Sequence, residues 1–100
     1  MAQDPTDVTI THLDQGARGE YHARVEGAEE IGRLTYKRKG DVLVADHTLV
    51  PEEIGGRGIA GKLVEALIED ARKFGWKIEP QCSYVAVAFK RHPEWADLRA

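Results

Sequence analysis

A glycine-rich segment, Gly55–Lys62, carries the residue types and spacing that point most directly to chemistry. Glycines lack a Cβ atom, so a bulky anion can approach the backbone amides around them. A helix that begins here adds unpaired N–H groups and partial positive charge. Taken alone, the segment fits an anion site or a tight turn before a helix. The candidate binding residues are Gly55, Gly56, Arg57, Gly58, Ile59, Ala60, Gly61 and Lys62.

Two further groups of reactive side chains are the cluster Cys82-Ser83-Tyr84 and the imidazole of His47. Thiols, phenols and imidazoles serve proteins as nucleophiles, acids and bases. Cys82 is the single cysteine, which excludes an intramolecular disulfide and a zinc site built on several cysteines. No metal site is expected, because the four histidines are scattered without ligand-like spacing.

Composition excludes several classes of protein. The formal net charge of −3 argues against nucleic-acid binding, which needs a dense basic face. The basic run Lys37-Arg38-Lys39 is expected in a solvated hairpin turn, or else in contact with phosphate or an acidic partner. No apolar run approaches the roughly 18 residues of a membrane span, and the N-terminus lacks the pattern of a signal peptide. We therefore expect a cytoplasmic protein without membrane contact.

The elements that must position these residues follow from hydrophobic periodicity. Apolar residues alternate in four segments and recur at helical spacing from Ile59 to Phe74, where Gly75 is suited to end the helix. A strand and a short helix capped by Ser83 should follow. The predicted strands are Val8–Thr11, Glu20–Val25, Ile31–Lys37, Val42–Val50 and Trp76–Cys82, and the last helix runs from Tyr84 to about Lys90.

This order of elements indicates an α+β fold in one domain. Strands precede helices, so the long helix should pack on one face of a mostly antiparallel sheet. The crossover through that helix would let its two flanking strands lie parallel. Residues 1–7 are predicted to be a disordered end, and residues 8–100 a single domain. Trp76 and Trp95 are expected to pack in the core or at its edge.

The sequence around the glycine-rich segment departs from two familiar phosphate loops. Gly61-Lys62 is followed by Leu63, whereas a Walker A loop needs serine or threonine there. A dinucleotide loop follows the first strand of its fold, but this loop lies mid-chain. The run Ile54–Leu63 instead resembles motif A of the GNAT acetyltransferase superfamily, with Gly55 at the position that is usually arginine or glutamine.

Three more segments strengthen this resemblance: His47–Pro51, Pro80–Val85 and His92–Glu94. They are similar to the minimal, YjdJ-type group of small N-acetyltransferase domains, over roughly Val8 to Leu98. The resemblance implies a GNAT-like fold and acetyl-coenzyme A as cofactor. It also implies transfer of an acetyl group to a primary amine of a small-molecule or protein acceptor.

The same resemblance implies where the cofactor lies. Its pyrophosphate would sit on the Gly55–Lys62 segment, and its pantetheine arm between the strands that end at Val50 and Cys82. A backbone amide near Leu49 or Val50 would polarise the thioester carbonyl. Ser83 would then lie beside the cofactor. Leu49 stands where this group often has a glutamate, so no general base is expected at that position.

The resemblance also suggests roles for the reactive side chains. Cys82 would lie near the cofactor sulfur, either as an acetyl acceptor in a ping-pong route or as a small residue lining the groove. Tyr84 would protonate the leaving thiolate or pack in the core. His47 would act as a base near neutral pH or hydrogen-bond across the sheet. Glu52 and Glu53 would bind a cationic acceptor or form solvated surface.

The sequence also allows two other functions. The chain could be a non-catalytic acyl-coenzyme A binder or partner-modulating domain, since the glutamate is missing and the chain is small. The same loop could instead hold a nucleotide or phosphate in another kind of module. The sequence identifies no acceptor and allows a monomer or a homodimer.

Overall fold

A computed structural model describes residues 8–55 and 58–100 of the chain. These residues form an α+β fold, in which four strands precede the first α-helix. Among them, no helix is long and apolar enough to cross a membrane. The elements are β1 Val8–Asp14, β2 Arg18–Val25, β3 Ile31–Lys39, β4 Val42–Leu49, α1 Ile59–Phe74, β5 Lys77–Pro80 and α2 Ser83–Arg91, with 3₁₀ turns at Glu52–Ile54 and Pro93–Leu98.

The five strands form one mixed sheet in the order β1-β2-β3-β4-β5. Strands β1 to β4 are joined by tight hairpins and pair antiparallel. Strand β5 pairs parallel to β4, because the chain returns through α1 before entering it. The expectation of a mostly antiparallel sheet with one parallel crossover is confirmed.

One face of the sheet forms the core, and the helices cover only that face. The inward residues of β2 are Tyr21, Ala23 and Val25, as the alternation predicts. They join a single apolar cluster with the buried face of α1, with Val85 of α2, and with the C-terminal 3₁₀ turn. Trp76 and Trp95 are both buried in this cluster. The opposite face of the sheet has no helix of the described residues packed on it.

Several predicted boundaries differ from those in the structure. Strand β1 continues to Asp14, because its pairing with β2 extends to Gly19. Strand β5 covers only Lys77–Pro80, and Cys82, rather than Ser83, is the residue that precedes α2. The basic run Lys37-Arg38-Lys39 lies in β3, before the turn. The predicted disorder of residues 1–7 concerns residues outside the described part of the chain.

Helix α1 has the predicted bounds, but its last residue does not pack as the spacing suggests. Gly75 ends the helix in the left-handed conformation, at φ 77°. Phe74 is 54% exposed, although it continues the apolar stripe of α1. Its ring lies against Trp76 instead, with the two ring centroids 5.0 Å apart. Phe74 therefore lies outside the core and packs against the next residue of the chain but one.

A polar network joins the C-terminal half of α1 to the sheet. Asp70 accepts a hydrogen bond from the Tyr21 hydroxyl at 2.7 Å, and its Oδ2 lies 3.4 Å from His12 Nδ1. His12 Nε2 lies 2.8 Å from the Tyr36 hydroxyl. Burial, and secondarily the charge of Asp14, raises the pKa of Tyr36 to about 12. The phenol therefore stays protonated at neutral pH and can donate to the imidazole.

The close approach of Gly19 to Tyr36 yields a test of this packing. A Cβ at Gly19 would lie 2.5 Å from Tyr36 Cζ and 2.8 Å from the carbonyl oxygen of Leu13. Gly19→Ala should therefore lower the free energy of unfolding by about 1–3 kcal/mol, the usual cost of overpacking. Urea denaturation monitored by circular dichroism measures the change.

Gly32→Ala is the matched control. Its added methyl group would meet Ile59 Cγ2 at 3.1 Å and Leu63 Cδ1 at 3.4 Å, which is a smaller overlap than the one at Gly19. This control should lose clearly less stability than Gly19→Ala. Equal losses in the two variants would show that contact with Tyr36 is not the cause.

Candidate functional site

Strands β4 and β5 part before β4 ends. Their parallel pairing stops at Ala45 and Pro80, while β4 continues to Leu49. The carbonyl oxygen of Ala45 accepts from the N–H of Gln81 at 3.0 Å and from that of Cys82 at 2.8 Å. Both bonds go to one oxygen, so the chain after β5 turns away from β4. A wedge opens between the last residues of β4 and the start of α2.

The other edge of β4 contains a β-bulge at the same level. Tyr36 of β3 pairs with Ala45, and the adjacent Thr35 pairs with His47, which leaves Asp46 as an extra residue. The Thr35 hydroxyl donates to Asp46 Oδ1 at 2.6 Å and holds the bulged side chain on the uncovered face. A bulge increases the local twist of a strand. It thereby helps turn the end of β4 away from β5.

Helix α1 begins near this wedge with features suited to an anion. Its N-cap is Gly58 at φ 72°, a left-handed conformation that favours glycine. The first turn contains no acidic residue and no side-chain cap. By helix geometry, its first N–H groups have no intrahelical acceptor. This donor set suits a phosphate group, and Gly56 and Arg57, which were also predicted to bind it, lie outside the described residues.

The other described residues of the predicted loop lie just before and within the first turn of α1. Gly55 follows a 3₁₀ turn and donates its N–H to the carbonyl of Glu52 at 3.1 Å. Ile59 is buried in the core, whereas Ala60, Gly61 and Lys62 are half-buried. Ile59 therefore anchors the first turn, and the next three residues lie closer to solvent.

Cys82 lies at the apex of the wedge and precedes the first residue of α2. Its Sγ is 3.4 Å from Thr48 Oγ1 on β4, and this contact spans the opening between the two strands. Partial burial by itself raises the pKa of the thiol. The Thr48 hydroxyl and the N–H groups of Val85 and Tyr84 lower the pKa by more, so the net shift is below its ordinary value. The position enriches the thiolate, which is the nucleophilic form.

Tyr84 faces α1 and is not a core residue. It is 44% exposed, and its hydroxyl oxygen lies 3.7 Å from the position that a Cβ would take on Gly61. The two residues line a groove of about 100 Å³ between α1 and α2, with Trp95 at its other end. Ser83, the first residue of α2, is exposed. The phenol therefore lies beside the first turn of α1.

His47 lies on the other side of the sheet. Adjacent strand residues point to opposite faces, and Thr48 is the one that contacts Cys82. The imidazole lines a depression of about 390 Å³ on the uncovered face, with Arg33 and Leu49. Val50 packs against the core. The structure thus brings Cys82 to the wedge and Tyr84 to the nearby helix start, but places His47 across the sheet from the thiol.

Sequence reasoning missed Thr48 and Asp46. Thr48 has no motif of its own, and its importance comes from a contact across 34 residues of chain. Asp46 gives no local sign of a bulge, because the bulge is defined by pairing with β3. Among the described residues, no group of histidine, cysteine, aspartate and glutamate is arranged to hold a metal ion.

Comparison with known proteins agrees with this architecture. A family model described as GCN5-related N-acetyl-transferase matches residues 20–98, which include most of β2, strands β3 to β5, both helices and the wedge. The chain therefore belongs to the GCN5-related N-acetyltransferase family. The human protein named Protein NATD1 is similar to it, with 28% identity over 103 aligned positions covering 93% of this chain and 91% of the relative.

The contact between Thr48 and Cys82 predicts a measurable effect on the thiol. Thr48→Val removes the hydroxyl that lowers the pKa of Cys82, so the pKa should rise and the thiolate fraction at neutral pH should fall. Alkylation by iodoacetamide at pH 7 should slow by roughly fivefold, the effect of losing about 1 kcal/mol of hydrogen bonding. Rates measured from pH 5 to 10 locate the midpoint.

Thr48→Ser keeps the hydroxyl and serves as the control. Its alkylation profile should stay close to that of the wild type, with a midpoint below that of an ordinary thiol. A profile for Thr48→Val that overlays the wild-type curve would mean that Thr48 does not act on Cys82.

Proposed function

We propose that this chain is an acetyl-coenzyme A-dependent N-acetyltransferase that acts on a primary amine, and that it is one of the small YjdJ-type members of its family. The observation that supports this most is the wedge between β4 and β5. The start of α1 lies near it, and Cys82 and Thr48 lie within it. A helix start suited to an anion, a thiol with a lowered pKa and two separated strands thus lie at one end of the sheet.

The first turn of α1 would hold the cofactor by its pyrophosphate. The N–H groups of residues 58–61 present donors and the positive end of the helix dipole, and the absence of acidic residues in that turn leaves this charge uncancelled. Arg57 would add a positive charge. The groove beside Gly61 and Tyr84 would contact the rest of the molecule. When bound, acetyl-coenzyme A supplies the activated acetyl thioester.

The chain's own groups would then control protons and orientation. Backbone N–H groups near Leu49 and Val50 would polarise the acetyl carbonyl. Cys82, with its lowered pKa, would accept the acetyl group, and Thr48 would hold the sulfur in place. Tyr84, exposed beside the start of α1, would supply a proton to a leaving thiolate. His47 would remove a proton from the substrate ammonium on the uncovered face, and the neutral amine would then attack the acetyl carbonyl and release the Cys82 thiolate.

A non-catalytic acyl-coenzyme A-binding role is the second candidate. It is favoured by the separation of His47 from Cys82 and by a leucine, Leu49, where a carboxylate base would be useful. This role keeps the anion site and needs no acetyl transfer. In either role we propose a reducing, cytoplasmic location, where the thiol of Cys82 would stay reduced.

The anion site makes a prediction at Gly61. Gly61→Asp places a negative charge in the first turn of α1, which should weaken acetyl-coenzyme A binding by about tenfold or more by repelling the pyrophosphate. The same charge interacts favourably with the helix dipole, so the melting temperature should not fall. Isothermal titration calorimetry, with a wild-type Kd expected in the micromolar range, measures the binding.

Gly61→Asn is the matched neutral control, because asparagine has nearly the same shape as aspartate. It should bind the cofactor more tightly than Gly61→Asp does. Equal affinities in the two variants would argue against a phosphate at this helix start. No binding of acetyl-coenzyme A by the wild type, or tighter binding of ATP, would overturn the proposed function.

The role of Cys82 is tested by separating covalent from non-covalent transfer. Intact-mass spectrometry after incubation with acetyl-coenzyme A should show an adduct of one acetyl group, which is absent from Cys82→Ala. Turnover of an amine acceptor should fall by a factor of about 100 or more in that variant, as for other lost nucleophiles. Undiminished transfer by Cys82→Ala would make Cys82 a lining residue. Binding of acetyl-coenzyme A without any transfer by the wild type would favour the non-catalytic role.

A further inference from the structure

The uncovered face of the sheet carries a charge opposite to that of the whole chain. We call the outward residues of β2, β3 and β4 the open sheet face. The chain has a formal net charge of −3. On the open sheet face, five basic residues stand against two acidic ones, Glu20 and Asp46. The basic residues are Arg18, Arg24, Arg33, Lys37 and Lys39.

The positive charges on this face are available, and the negative ones are engaged. All five basic side chains are exposed, and within residues 8–55 and 58–100 none of them takes part in an ion pair or a side-chain hydrogen bond. By contrast, Glu20 Oε1 lies 2.7 Å from His22 Nε2. Asp46 accepts from the Thr35 hydroxyl. With five basic residues and two acidic ones, the open sheet face has a formal net charge of +3, and a ligand on this face would meet that positive charge.

Two of these charges repel each other in the isolated domain. Arg18 of β2 and Lys37 of β3 are direct partners in the antiparallel register. Like charges directly opposite each other destabilise a sheet. An anion placed between them would remove this repulsion, so the pair favours an acidic ligand.

The shape of the face suits an extended chain. A depression of about 400 Å³ is lined by Arg18 and Lys37 together with Glu20 and Asp46. A second one of about 390 Å³, lined by Arg33, shares Thr35 with the first. The second depression reaches Leu49, which is 64% exposed, at the end of β4. The two neighbouring depressions thus lead from the Arg18–Lys37 pair past Arg33 to an apolar residue at the end of β4.

We propose that the open sheet face docks an acidic segment of a polypeptide. The outward residues of β2 to β4 include no phenylalanine, tyrosine or tryptophan on which bases could stack. The lack of a stacking surface favours an acidic peptide over a nucleic acid. The polypeptide is the amine acceptor, and this part of the inference alone rests on the proposed function. Docking itself does not require it.

Binding is tested without cofactor or turnover. A fluorescein-labelled glutamate-rich peptide should bind the full chain in an anisotropy titration, more weakly as salt increases. Arg18→Gln combined with Lys37→Gln should raise its Kd roughly fivefold or more, as expected for two lost exposed ion pairs. The control, Lys73→Gln combined with Lys90→Gln, makes the same charge change on the helices and should alter the Kd less than about twofold.

Four results would overturn the docking proposal. The first is no peptide binding at low salt, and the second is an equal loss of affinity in the two double variants. The third is single-stranded DNA that binds this face more tightly than the peptide does. The fourth is wild-type dimerisation in sedimentation velocity that Arg18→Gln with Lys37→Gln abolishes, because a second copy would then be the occupant. Thermal melts of both variants show whether they fold.

Transfer assays separate this proposal from the proposed function. An acidic peptide with one lysine should have a lower KM than a neutral peptide of the same length. The Arg18→Gln and Lys37→Gln variant should raise that KM and leave its kcat unchanged. Peptide binding with no transfer to any amine would keep the docking site and reject the acetyltransferase. Transfer with a KM that the variant does not alter would reject the docking site and keep the acetyltransferase.

Discussion

The carbonyl oxygen of Ala45 is the point on which the arrangement of this molecule depends. It accepts the N–H groups of both Gln81 and Cys82, immediately after the last paired residue of β5. That residue is Pro80, which has no N–H to offer a ladder and is tolerated because β5 lies at the edge of the described sheet. The missing N–H of Pro80 falls on the outer edge of β5, because Lys77 and Gln81 are the residues that donate to the β4 side. The paired ladder ends at Ala45, and α2 begins where the two strands part.

The features of the candidate site follow from this parting. Turning the chain at residue 82 places a sulfur at the start of α2 and across from Thr48, where helix amides and a hydroxyl lower its pKa. The bulge at Asp46 twists β4 from the other edge, so both neighbours of this strand help open the wedge. If β4 and β5 stayed paired along the whole of β4, there would be no gap between the two strands, and α2 would not start beside β4.

Local periodicity was sufficient to predict much of the fold. The bounds of α1 follow from the helical spacing of its apolar residues and from Gly75, which ends the helix; both signals are local in the sequence. The exposure of Phe74 does not follow from that spacing, because its ring packs against Trp76, which lies beyond the helix. The contact between Cys82 and Thr48 depends on parallel register across a helical crossover. No local pattern encodes that register, so the resemblance, which implied only that Cys82 lies near the cofactor sulfur, gave no indication of Thr48 as its partner.

The same limit explains why His47 and Cys82 could be assigned together from sequence and yet lie on opposite faces. Side chains alternate along β4, and the bulge at Asp46 resets that alternation just before His47. Thr48 therefore faces the side of the sheet that the helices cover, and its neighbour Leu49 faces the uncovered side. Under the proposed function, the two reactants would lie on these two sides of the sheet. A donor would lie on the helix side, and an amine would approach from the face that no described helix covers, through the opening that begins after Ala45.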